Sequence, residues 1–395
     1  MKREVVLTGA TRTAIGKYGG SLSSVSAAKL GAIVIEEALS RAGVAPSEVD
    51  EVFMGCILQS AQGQNVGRQS AVMAGIPVEK PALTLNNVCG SGLKCVNLAA
   101  IQIAAGEADV IVAGGVENMS GAPYALSKAR FGYRMNDGEI VDVMVRDALW
   151  DAFNNCHMGM TAENVAEKFG VTREAQDAFA AESQRKCEAA RRANKFADEI
   201  VAVPLKTRGE PELFKDDEFP RDGVTVESLA KLKPSFKQGG TVTAGNASGI
   251  NDGAAALIVM SAEKAEKLGI RPMARFSTGA SAGVDPAIMG IGPVYSTRKA
   301  LEKAGLSLAD IDLIEANEAF AAQSEAVGKL LEWDRAKVNV NGGAIALGHP
   351  VGAAGARILV TLLHEMRRRA ARYGLATLCV GGGMGVSAIV ENLGG

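Results

Sequence analysis

The chain has 395 residues, of which 47% are hydrophobic and 22% charged, and its formal net charge is -2. This length is sufficient for two or three domains with a substantial buried core. A charge this close to zero gives no electrostatic basis for binding nucleic acid or an anionic membrane, and we expect neither as a partner.

Cysteine usage and apolar segments indicate the cellular compartment. The six cysteines are scattered without a C-x-x-C pair, at Cys56, Cys89, Cys95, Cys156, Cys187 and Cys379. This pattern predicts free thiols rather than a disulfide framework, and it suggests no metal site. We expect no apolar stretch to reach the ~18 residues of a membrane span and no signal peptide at the N-terminus. The sequence therefore predicts a cytoplasmic protein.

Strands and helices alternate in the first third of the chain. Predicted strands cover residues 4–9, 49–56, 83–87 and 108–115, and predicted helices cover 27–42, 67–74 and 93–105. Gly43 is expected to end the first helix in a left-handed conformation. This alternation predicts an α/β fold with a mainly parallel, helix-covered sheet.

The chain also contains an internal repeat. Residues 38–43 followed by 49–52 recur as 300–305 followed by 311–314, with the same spacing. A predicted strand at 337–341, a glycine-rich loop at 342–348 and a helix at 352–367 then parallel the strand, loop and helix around Cys89. The strand 376–380 parallels the strand 108–115. A chance match of a common pattern is the alternative, but three features in one order favour two similar halves.

A segment of different composition separates the halves. Residues 119–147 are rich in Gly, Tyr, Asn and Arg, residues 161–197 predict charged amphipathic helices with Thr172 as an N-cap, and residues 206–236 are charged and contain prolines. The segment is too long for a connecting loop and predicts a small subdomain. We therefore divide the chain into an N-terminal half (1–118 with 249–268), an inserted subdomain (119–248) and a C-terminal half (269–395).

Cys89 lies where the predicted strand 83–87 turns into a helix. The free amides and the positive dipole end of a helix N-terminus favour the thiolate, which is the reactive form of cysteine. Glycines on either side of Ser91 would let a substrate approach the backbone closely. An unpaired cysteine is nevertheless usually a small buried apolar side chain, so a catalytic role requires partners elsewhere in the chain.

Three residues of the second half are candidate partners. His349 precedes Pro350 and is predicted at or near the N-cap of the helix 352–367, the position equivalent to Cys89. A helix N-terminus keeps imidazole neutral and usable as a base, although simple capping is the alternative. Cys379 ends a predicted strand at a triple glycine. Asn317 follows the strand 311–314 and could hold a water or an oxyanion, or be a turn residue. Packing of the halves about a pseudo-two-fold axis would bring these side chains to Cys89.

Seven motifs occur in order along the chain: NVCGSG at 87–92, GGVENMS at 114–120, HMG at 157–159, TAGNASG at 243–249, NEAF at 317–320, GHP at 348–350 and CVGGG at 379–383. With them the sequence resembles the thiolase family over essentially its whole length, and specifically the biosynthetic, acetoacetyl-CoA-forming members. Met384, where many relatives have glutamine, is a small departure beyond the last motif.

The resemblance implies a thiolase fold and a two-thiol mechanism. The fold would have two α/β halves with mixed five-stranded sheets, packed about a pseudo-two-fold axis in α-β-α-β-α layers, plus the inserted loop subdomain. Cys89 would carry the acetyl group as a thioester. His349 would take the thiol proton and, with a water held by Asn317, bind the thioester oxygen of the attacking acetyl-CoA. Cys379 would remove or return the α-proton, and the amides of Cys89 and Gly381 would form a second oxyanion hole.

The resemblance also implies the substrates and the assembly. Acetyl-CoA, acetoacetyl-CoA and CoA would be bound without any metal or further cofactor, by a homotetramer built as a dimer of dimers, with residues 119–147 in tetramer contacts. Arg221 could pair with a phosphate and Ser248 could bond the pantetheine amide, although surface charge or packing is the commoner explanation for each residue alone. The implied coenzyme A tunnel is lined by Leu149, His157, Met158, Arg221, Phe236, Ala244, Ser248 and Phe320.

Three other functions are alternatives to this one. Within the family, a degradative 3-ketoacyl-CoA thiolase of broader chain length is the alternative. A decarboxylating ketosynthase-type enzyme has a similar fold but generally uses a second histidine, or a histidine with an asparagine, where this chain has Cys379 and Asn317. A nucleotide-binding module is disfavoured, because no G-x-G-x-x-G opens a first helix with an acidic residue at the right distance beyond it.

Overall fold

The computed structural model describes residues 3–205 and 212–393 of the chain. Residues 206–211 of the charged segment in the insertion therefore lie outside the described residues. The strands are β1 (Val5–Thr13), β2 (Gly16–Lys17), β3 (Glu51–Gly55), β4 (Ala82–Leu85), β5 (Val110–Asn118), β6 (Tyr124–Ala125), β7 (Val141–Asp142), β8 (Trp150–Asp151), β9 (Cys156–His157), β10 (Ile200–Val201), β11 (Val203–Leu205), β12 (Glu212–Phe214), β13 (Asn251–Ser261), β14 (Ala274–Gly283), β15 (Leu313–Ala316), β16 (Tyr373–Val380) and β17 (Met384–Asn392).

The helices are α1 (Ala27–Ala42), α2 (Val66–Met73), α3 (Ser91–Ala105), α4 (Met158–Phe169), α5 (Arg173–Arg192), α6 (Val226–Ala230), α7 (Ala262–Lys267), α8 (Gly292–Ala304), α9 (Ala321–Leu331), α10 (Ala344–Leu347) and α11 (Ala354–Arg369). Local signals set several of their ends. Gly43 ends α1 with a left-handed φ of 68°, and the side chain of Thr172 caps α5 by accepting the N–H of Ala175. Both predicted boundaries are confirmed.

One continuous sheet runs through both halves in the order β15-β16-β17-β14-β1-β13-β5-β3-β4. At its centre β1 and β14 pair antiparallel through two residue pairs, Val6 with Arg275 and Leu7 with Ala274. On either side of this pair the strands follow the same order, with the last strand of each half next to its first. The predicted repeat is confirmed, and the pseudo-two-fold axis passes between β1 and β14.

The sheet is mixed. Only the pairs β3–β4, β3–β5 and β15–β16 are parallel along this path, and the other five are antiparallel. The expectation of a mainly parallel sheet is therefore wrong, and the mixed sheets that the family resemblance implied are confirmed. The cause lies in the connections, because β13 enters from the inserted subdomain and runs antiparallel between β1 and β5. Likewise β17 returns from β16 through the short turn at Gly381, and so short a connection permits only antiparallel pairing.

Along this path the N-terminal half contributes five strands, whereas the fifth position of the C-terminal half is a single bridge between Val338 and Ile314. The strand predicted at 337–341 is therefore wrong. Asn339 has a positive φ of 43°, and its side chain bonds both the N–H and the C=O of Ala316 at 2.8 Å. The Asn339 side chain thus makes the two hydrogen bonds to Ala316 that the backbone of a neighbouring strand would otherwise make.

The helices form three layers around the two halves of the sheet. α3 and α11 lie in the central layer, where their glycines permit close packing: a Cβ on Gly92 would approach the N of Ala356 to 2.7 Å. Their apolar side chains share one core cluster with strands of both halves. α1 covers the outer face of the N-terminal half, and α8 covers that of the C-terminal half. The implied α-β-α-β-α order is confirmed.

One stretch, Val88–Ala105, is long and apolar enough by composition to cross a membrane, with a mean hydropathy of 1.4 over 18 residues. Our expectation that no stretch reaches this length is therefore wrong. Buried core helices pass the same test, and 56% of this window, which contains α3, is buried inside the protein.

Candidate active site

Cys89 lies in a tight turn between β4 and α3, one residue before the N-cap Gly90. The preceding Val88 has a φ of 46°, which is rare for a β-branched residue and strained. Ser91 holds the turn, since its hydroxyl accepts the N–H of Asn87 at 2.8 Å and donates to the C=O of Val88 at 2.6 Å. The predicted strand-to-helix position of Cys89 is confirmed.

The Cys89 thiol has competing electrostatic influences. Burial raises its pKa to about 11, whereas the backbone N–H groups of Gly381 and of Cys89 itself lower it. These two amides therefore point toward the reactive sulfur. They are the same two groups that the family resemblance assigns to an oxyanion hole.

His349 is 5% exposed, and neither ring nitrogen has a hydrogen-bond partner among the described residues. Burial, with a smaller contribution from Arg357, lowers its pKa to about 3, so the ring is neutral. The alternative that His349 merely caps the helix is wrong, because the N-cap is Ala353. α11 begins at Ala354, and the C=O of Pro350 accepts the N–H groups of Ala353 and Ala354 at 2.9 Å. A turn therefore separates the histidine from the helix.

Asn317 and Cys379 are more deeply buried. Asn317 follows β15, its backbone N–H donates to Thr377, and both polar atoms of its side chain lack a partner among the described residues. Cys379 is fully buried near the end of β16. Burial raises its pKa, and a charge on Cys89 would raise it further, so the two thiols lie within electrostatic reach of each other.

A cavity of about 740 Å³ joins these residues to the inserted subdomain. Cys89, His349 and Gly381 line it, together with all eight residues that the resemblance assigns to coenzyme A: Leu149, His157, Met158, Arg221, Phe236, Ala244, Ser248 and Phe320. Asn317 and Cys379 are not in its wall. Cys379 belongs to one apolar cluster with the lining residues Met158 and Phe320, and Asn317 lies two residues before the lining residue Ala319. The volume is typical of a small-molecule site.

Aromatic rings form one wall of the cavity. His157 stacks on Phe236 with ring centroids 4.7 Å apart, and Phe236 meets Phe320 edge-on at 6.3 Å. The Nδ1 of His157 accepts the N–H of Gly159 at 3.0 Å, and burial lowers the pKa of this histidine. A side chain on Gly159 would collide with the Phe236 ring at 2.3 Å. The HMG motif therefore makes room for the Phe236 ring in this wall.

Polar groups lie along the remainder of the cavity. Arg221 is exposed, and its guanidinium lies 5.7 Å from the Phe219 ring. Lys17 adds a second cation to the lining, while Glu218 adds an anion. The backbone of Ser248 donates to Ala319 at 3.0 Å, which fixes this loop against the NEAF motif.

Sequence reasoning assigned no role to two buried polar residues beside the site. Glu117 accepts N–H groups of Ile57, Leu58 and Gly352, and Asn251 accepts the N–H of His349 at 2.8 Å. The available signal was the presence of a carboxyl and an amide in otherwise apolar strands, because such groups are rarely buried without partners. Their partners lie far away along the chain.

The fold and these residues define a two-cysteine site of the kind that the seven motifs led us to expect. The chain belongs to the thiolase family: residues 5–263 match the family described as "Thiolase, N-terminal domain" and residues 270–392 match "Thiolase, C-terminal domain".

Individual relatives agree over nearly the full length. The acetyl-CoA acetyltransferase of Pseudomonas aeruginosa is 61% identical over 386 residues, covering 98% of each chain. That of Cupriavidus necator is 58% identical over 389 residues, covering 98% of this chain and 99% of the relative. Among solved structures, the Bacillus anthracis acetyl-CoA acetyltransferase superposes with a TM-score of 0.97 at 48% identity, and human mitochondrial 3-ketoacyl-CoA thiolase in complex with CoA with 0.95 at 44%. These cover 99% of this chain and 99% and 98% of the respective structures.

Proposed function

We propose that this thiolase is an acetyl-CoA C-acetyltransferase, which condenses two acetyl-CoA to acetoacetyl-CoA and CoA and catalyses the reverse thiolysis. The observation that carries the proposal is the meeting of Cys89, His349 and Gly381 in one cavity, with the second thiol of Cys379 beside it. The names of the relatives at 55–61% identity support the same reaction.

In the first half-reaction Cys89 attacks the thioester carbonyl of acetyl-CoA. His349, neutral because it is buried, takes the thiol proton. The amides of Cys89 and Gly381 stabilise the oxyanion, and such donors are each worth roughly a hundred- to a thousandfold in rate. The C–S bond to coenzyme A breaks, leaving acetyl-Cys89. The departing CoA thiolate takes the proton of Cys379, so CoA leaves as a thiol and Cys379 becomes a thiolate.

In the second half-reaction the Cys379 thiolate removes an α-proton from another acetyl-CoA. A thiolate whose pKa is raised by burial is a strong base, which this weakly acidic carbon requires. The carbanion attacks acetyl-Cys89, the C–S bond breaks, and His349 returns its proton to Cys89. Acetoacetyl-CoA is released, and every group regains its starting protonation state.

Asn317 supports the enolate in this step. Its two unpartnered polar atoms are buried beside the cavity, as expected of a group that holds a water for the thioester oxygen of the attacking acetyl-CoA. His349 would donate to the same oxygen once it carries the proton. Asn317 should therefore be almost as sensitive to substitution as the cysteines.

Coenzyme A is proposed to occupy the remainder of the cavity. The rings of His157, Phe236 and Phe320 would pack against the pantetheine arm, and Ser248 would bond one of its amides. The exposed Arg221 at the cavity would pair with a phosphate. Leu149, Met158 and Ala244 complete the apolar lining. No metal or further cofactor has a step in this mechanism.

A second candidate is a degradative thiolase of broader chain length. It is favoured by the likeness to human mitochondrial 3-ketoacyl-CoA thiolase, with a TM-score of 0.96 and 44% identity. Both reactions use the same catalytic groups, so the distinction lies in how much acyl chain the cavity accepts.

Steady-state thiolysis of 3-ketoacyl-CoAs of four, six and more carbons tests the proposal. We expect kcat/KM to be highest for the four-carbon substrate and to fall with each added pair of methylenes, because a pocket discriminates one methylene by about 1–3 kcal/mol. Equal or rising values for longer chains would favour the degradative alternative. Absence of thiolysis together with absence of acetyl transfer to Cys89, by peptide mass spectrometry, would overturn both.

We further propose a cytoplasmic location and a homotetramer. The six cysteines are free, as a reducing compartment requires. The loop of residues 119–147 carries several large apolar side chains that are mostly exposed, which supports an assembly role.

A further inference from the structure

The position of His349 is set through its backbone. Its ring is buried without a hydrogen-bond partner among the described residues, so no side-chain contact of that kind fixes the imidazole. Its backbone N–H donates to the Oδ1 of Asn251 at 2.8 Å, and the Nδ2 of Asn251 donates to the C=O of Gly16 at 3.0 Å. Asn251 is the first residue of β13 and belongs to the N-terminal half.

A second anchor lies three residues further along the same segment. The N–H of Gly352 donates to the Oε2 of Glu117 at 2.9 Å. The same carboxylate accepts the N–H groups of Ile57 and Leu58, each at 3.0 Å. Ile57 and Leu58 belong to the apolar cluster against which Cys89 packs. Glu117 therefore ties the segment after His349 to the loop beside the nucleophile.

Residues 348–352 are pressed against the N-terminal half between these anchors. A Cβ on Gly348, where φ is 106°, would lie 2.5 Å from the Asn251 side chain, and one on Gly352 would lie 2.6 Å from Glu117 Oε2. Asn251 and Glu117 stand on the neighbouring strands β13 and β5. The C-terminal half thus supplies the histidine, and two strands of the N-terminal half hold it.

Electrostatic activation of the nucleophile does not explain Glu117. Its charge raises the pKa of Cys89, which disfavours the thiolate. Burial raises the pKa of Glu117 itself to about 7, so the fold bears a cost for keeping a carboxyl there. Glu117 supplies two acceptor oxygens, which face backbone N–H groups of the loop beside Cys89 and of the segment after His349.

We infer that Asn251 and Glu117 are positioning residues that hold His349 at the Cys89 thiol. The inference rests on the proposed function only in giving His349 the role of base. His349, which accepts the proton of Cys89, belongs to the C-terminal half. The strands β13 and β5 of the N-terminal half would therefore contribute to this proton transfer by positioning His349.

Asn251→Ala is the primary test, because it removes the acceptor of the His349 N–H. We expect kcat for four-carbon thiolysis to fall roughly 10- to 100-fold, the order expected for a displacement near 1 Å, with KM changed less than about twofold since Asn251 does not line the cavity. Glu117→Gln keeps the volume but loses one acceptor oxygen, and should lower kcat in the same way. It carries the test should Asn251→Ala fail to fold. The double variant should lose less than the product of the single effects.

Alkylation of Cys89 by iodoacetamide gives a readout that needs no acyl-CoA. Asn251→Ala should react more slowly than wild type at pH 7, where the thiol depends on His349, and should match wild type near pH 11, where the thiol ionises without help. Glu117→Gln is tested by kcat and KM alone, because it also removes a charge that raises the pKa of Cys89. A merely structural defect would not produce this convergence.

Asp50→Asn is the matched control. Asp50 accepts the N–H groups of Asp109 and Val110 at the opposite end of β5 and does not line the cavity. Folded variants whose kcat and alkylation profiles match this control would overturn the inference, and so would slower alkylation at every pH. A wild-type protein without thiolase activity would instead remove the proposed function, leaving the alkylation profiles to decide the positioning role.

Discussion

The two thiols of the site differ in what surrounds them. Cys89 is half-buried and has two backbone N–H groups that favour its charge, from itself and from Gly381, whereas Cys379 is fully buried and has only its own. Burial raises the pKa of both, so both are neutral at pH 7 in the free enzyme. Charge must therefore arise by proton transfer during the reaction, which gives each cysteine a separate task.

This division predicts the behaviour of Cys379→Ser. The variant should still be acetylated on Cys89, because nucleophile, histidine and oxyanion donors remain and CoA can leave as a thiolate without the proton of Cys379. Exchange of the α-protons of acetyl-CoA should slow by about 10²–10⁴, the usual contribution of a general base, since a hydroxyl is far less readily deprotonated. NMR of acetyl-CoA in D₂O measures the exchange, and peptide mass spectrometry measures acetylation. Cys156→Ser, a half-buried thiol outside the cavity wall, is the control. Unchanged exchange in Cys379→Ser would exclude it as the base.

At the scale of elements, the turn that carries Cys89 contains a strained residue, Val88, and is held by the hydrogen bonds of the Ser91 hydroxyl. Val88 adopts a left-handed conformation that costs of order 1–3 kcal/mol. The Ser91 hydroxyl spans the turn by bonding both Asn87 and Val88. Val88 and Ser91 lie on either side of Cys89. The position of the sulfur is therefore set by interactions within the five residues 87–91.

Ser91→Ala should therefore affect activity more than stability. Loss of the two hydrogen bonds should destabilise the protein by about 1–3 kcal/mol in urea unfolding. Relaxation of Val88 should displace Cys89 and lower kcat by about 10²-fold. Ser70→Ala is a matched control, because Ser70 is also a fully buried serine, with its hydroxyl bonded to Ala28 and Val66 in a different part of the half. It should lose similar stability and keep its kcat. Equal kcat in the two variants would contradict a role of the Ser91 hydroxyl in positioning Cys89.

Elements defined by nearby residues could be predicted from the sequence. Helix α1, its end at Gly43, the cap Thr172 and the turn at Cys89 depend on signals within a few positions, and each is where the pattern placed it. The irregular backbone at the fifth position of the C-terminal half could not be predicted in this way. There the Asn339 side chain bonds the backbone of Ala316, 23 residues away, in place of a strand-to-strand hydrogen bond. The anchors Asn251 and Glu117 were missed for the same reason.

At the scale of the molecule, the pseudo-two-fold axis distributes the chemistry. The N-terminal half supplies the nucleophile at the start of α3, and the C-terminal half supplies Asn317 and Cys379 at the ends of β15 and β16 and His349 in the loop before α11. The inserted subdomain closes the cavity over them with the stacked rings of His157 and Phe236. A repeat with motifs in both copies made this convergence predictable, whereas the deep burial of Asn317 and Cys379 behind the cavity wall was not.

The inserted subdomain also carries the most exposed apolar side chains of the described residues. Phe131 is 87% exposed and Met135 85% exposed, on a loop whose short strands β6 and β7 pair only with each other. Large apolar side chains concentrated on one exposed loop are typical of association sites. We expect Phe131→Asp to convert the proposed tetramer into dimers, because a desolvated carboxylate would oppose burial of the loop. Light scattering coupled to size-exclusion chromatography should show the mass halved.

The activity of the Phe131→Asp dimer shows whether catalysis depends on tetramer assembly. Phe131 does not line the cavity, so kcat per chain should stay within about twofold of wild type if the catalytic unit is complete below the tetramer. Leu213→Asp, at a residue 58% exposed on β12 outside the loop, is the control and should leave the mass unchanged. A Phe131→Asp protein with the mass of wild type would show that the exposed loop does not mediate assembly. Dissociation of both variants would attribute the effect to added charge rather than to this loop.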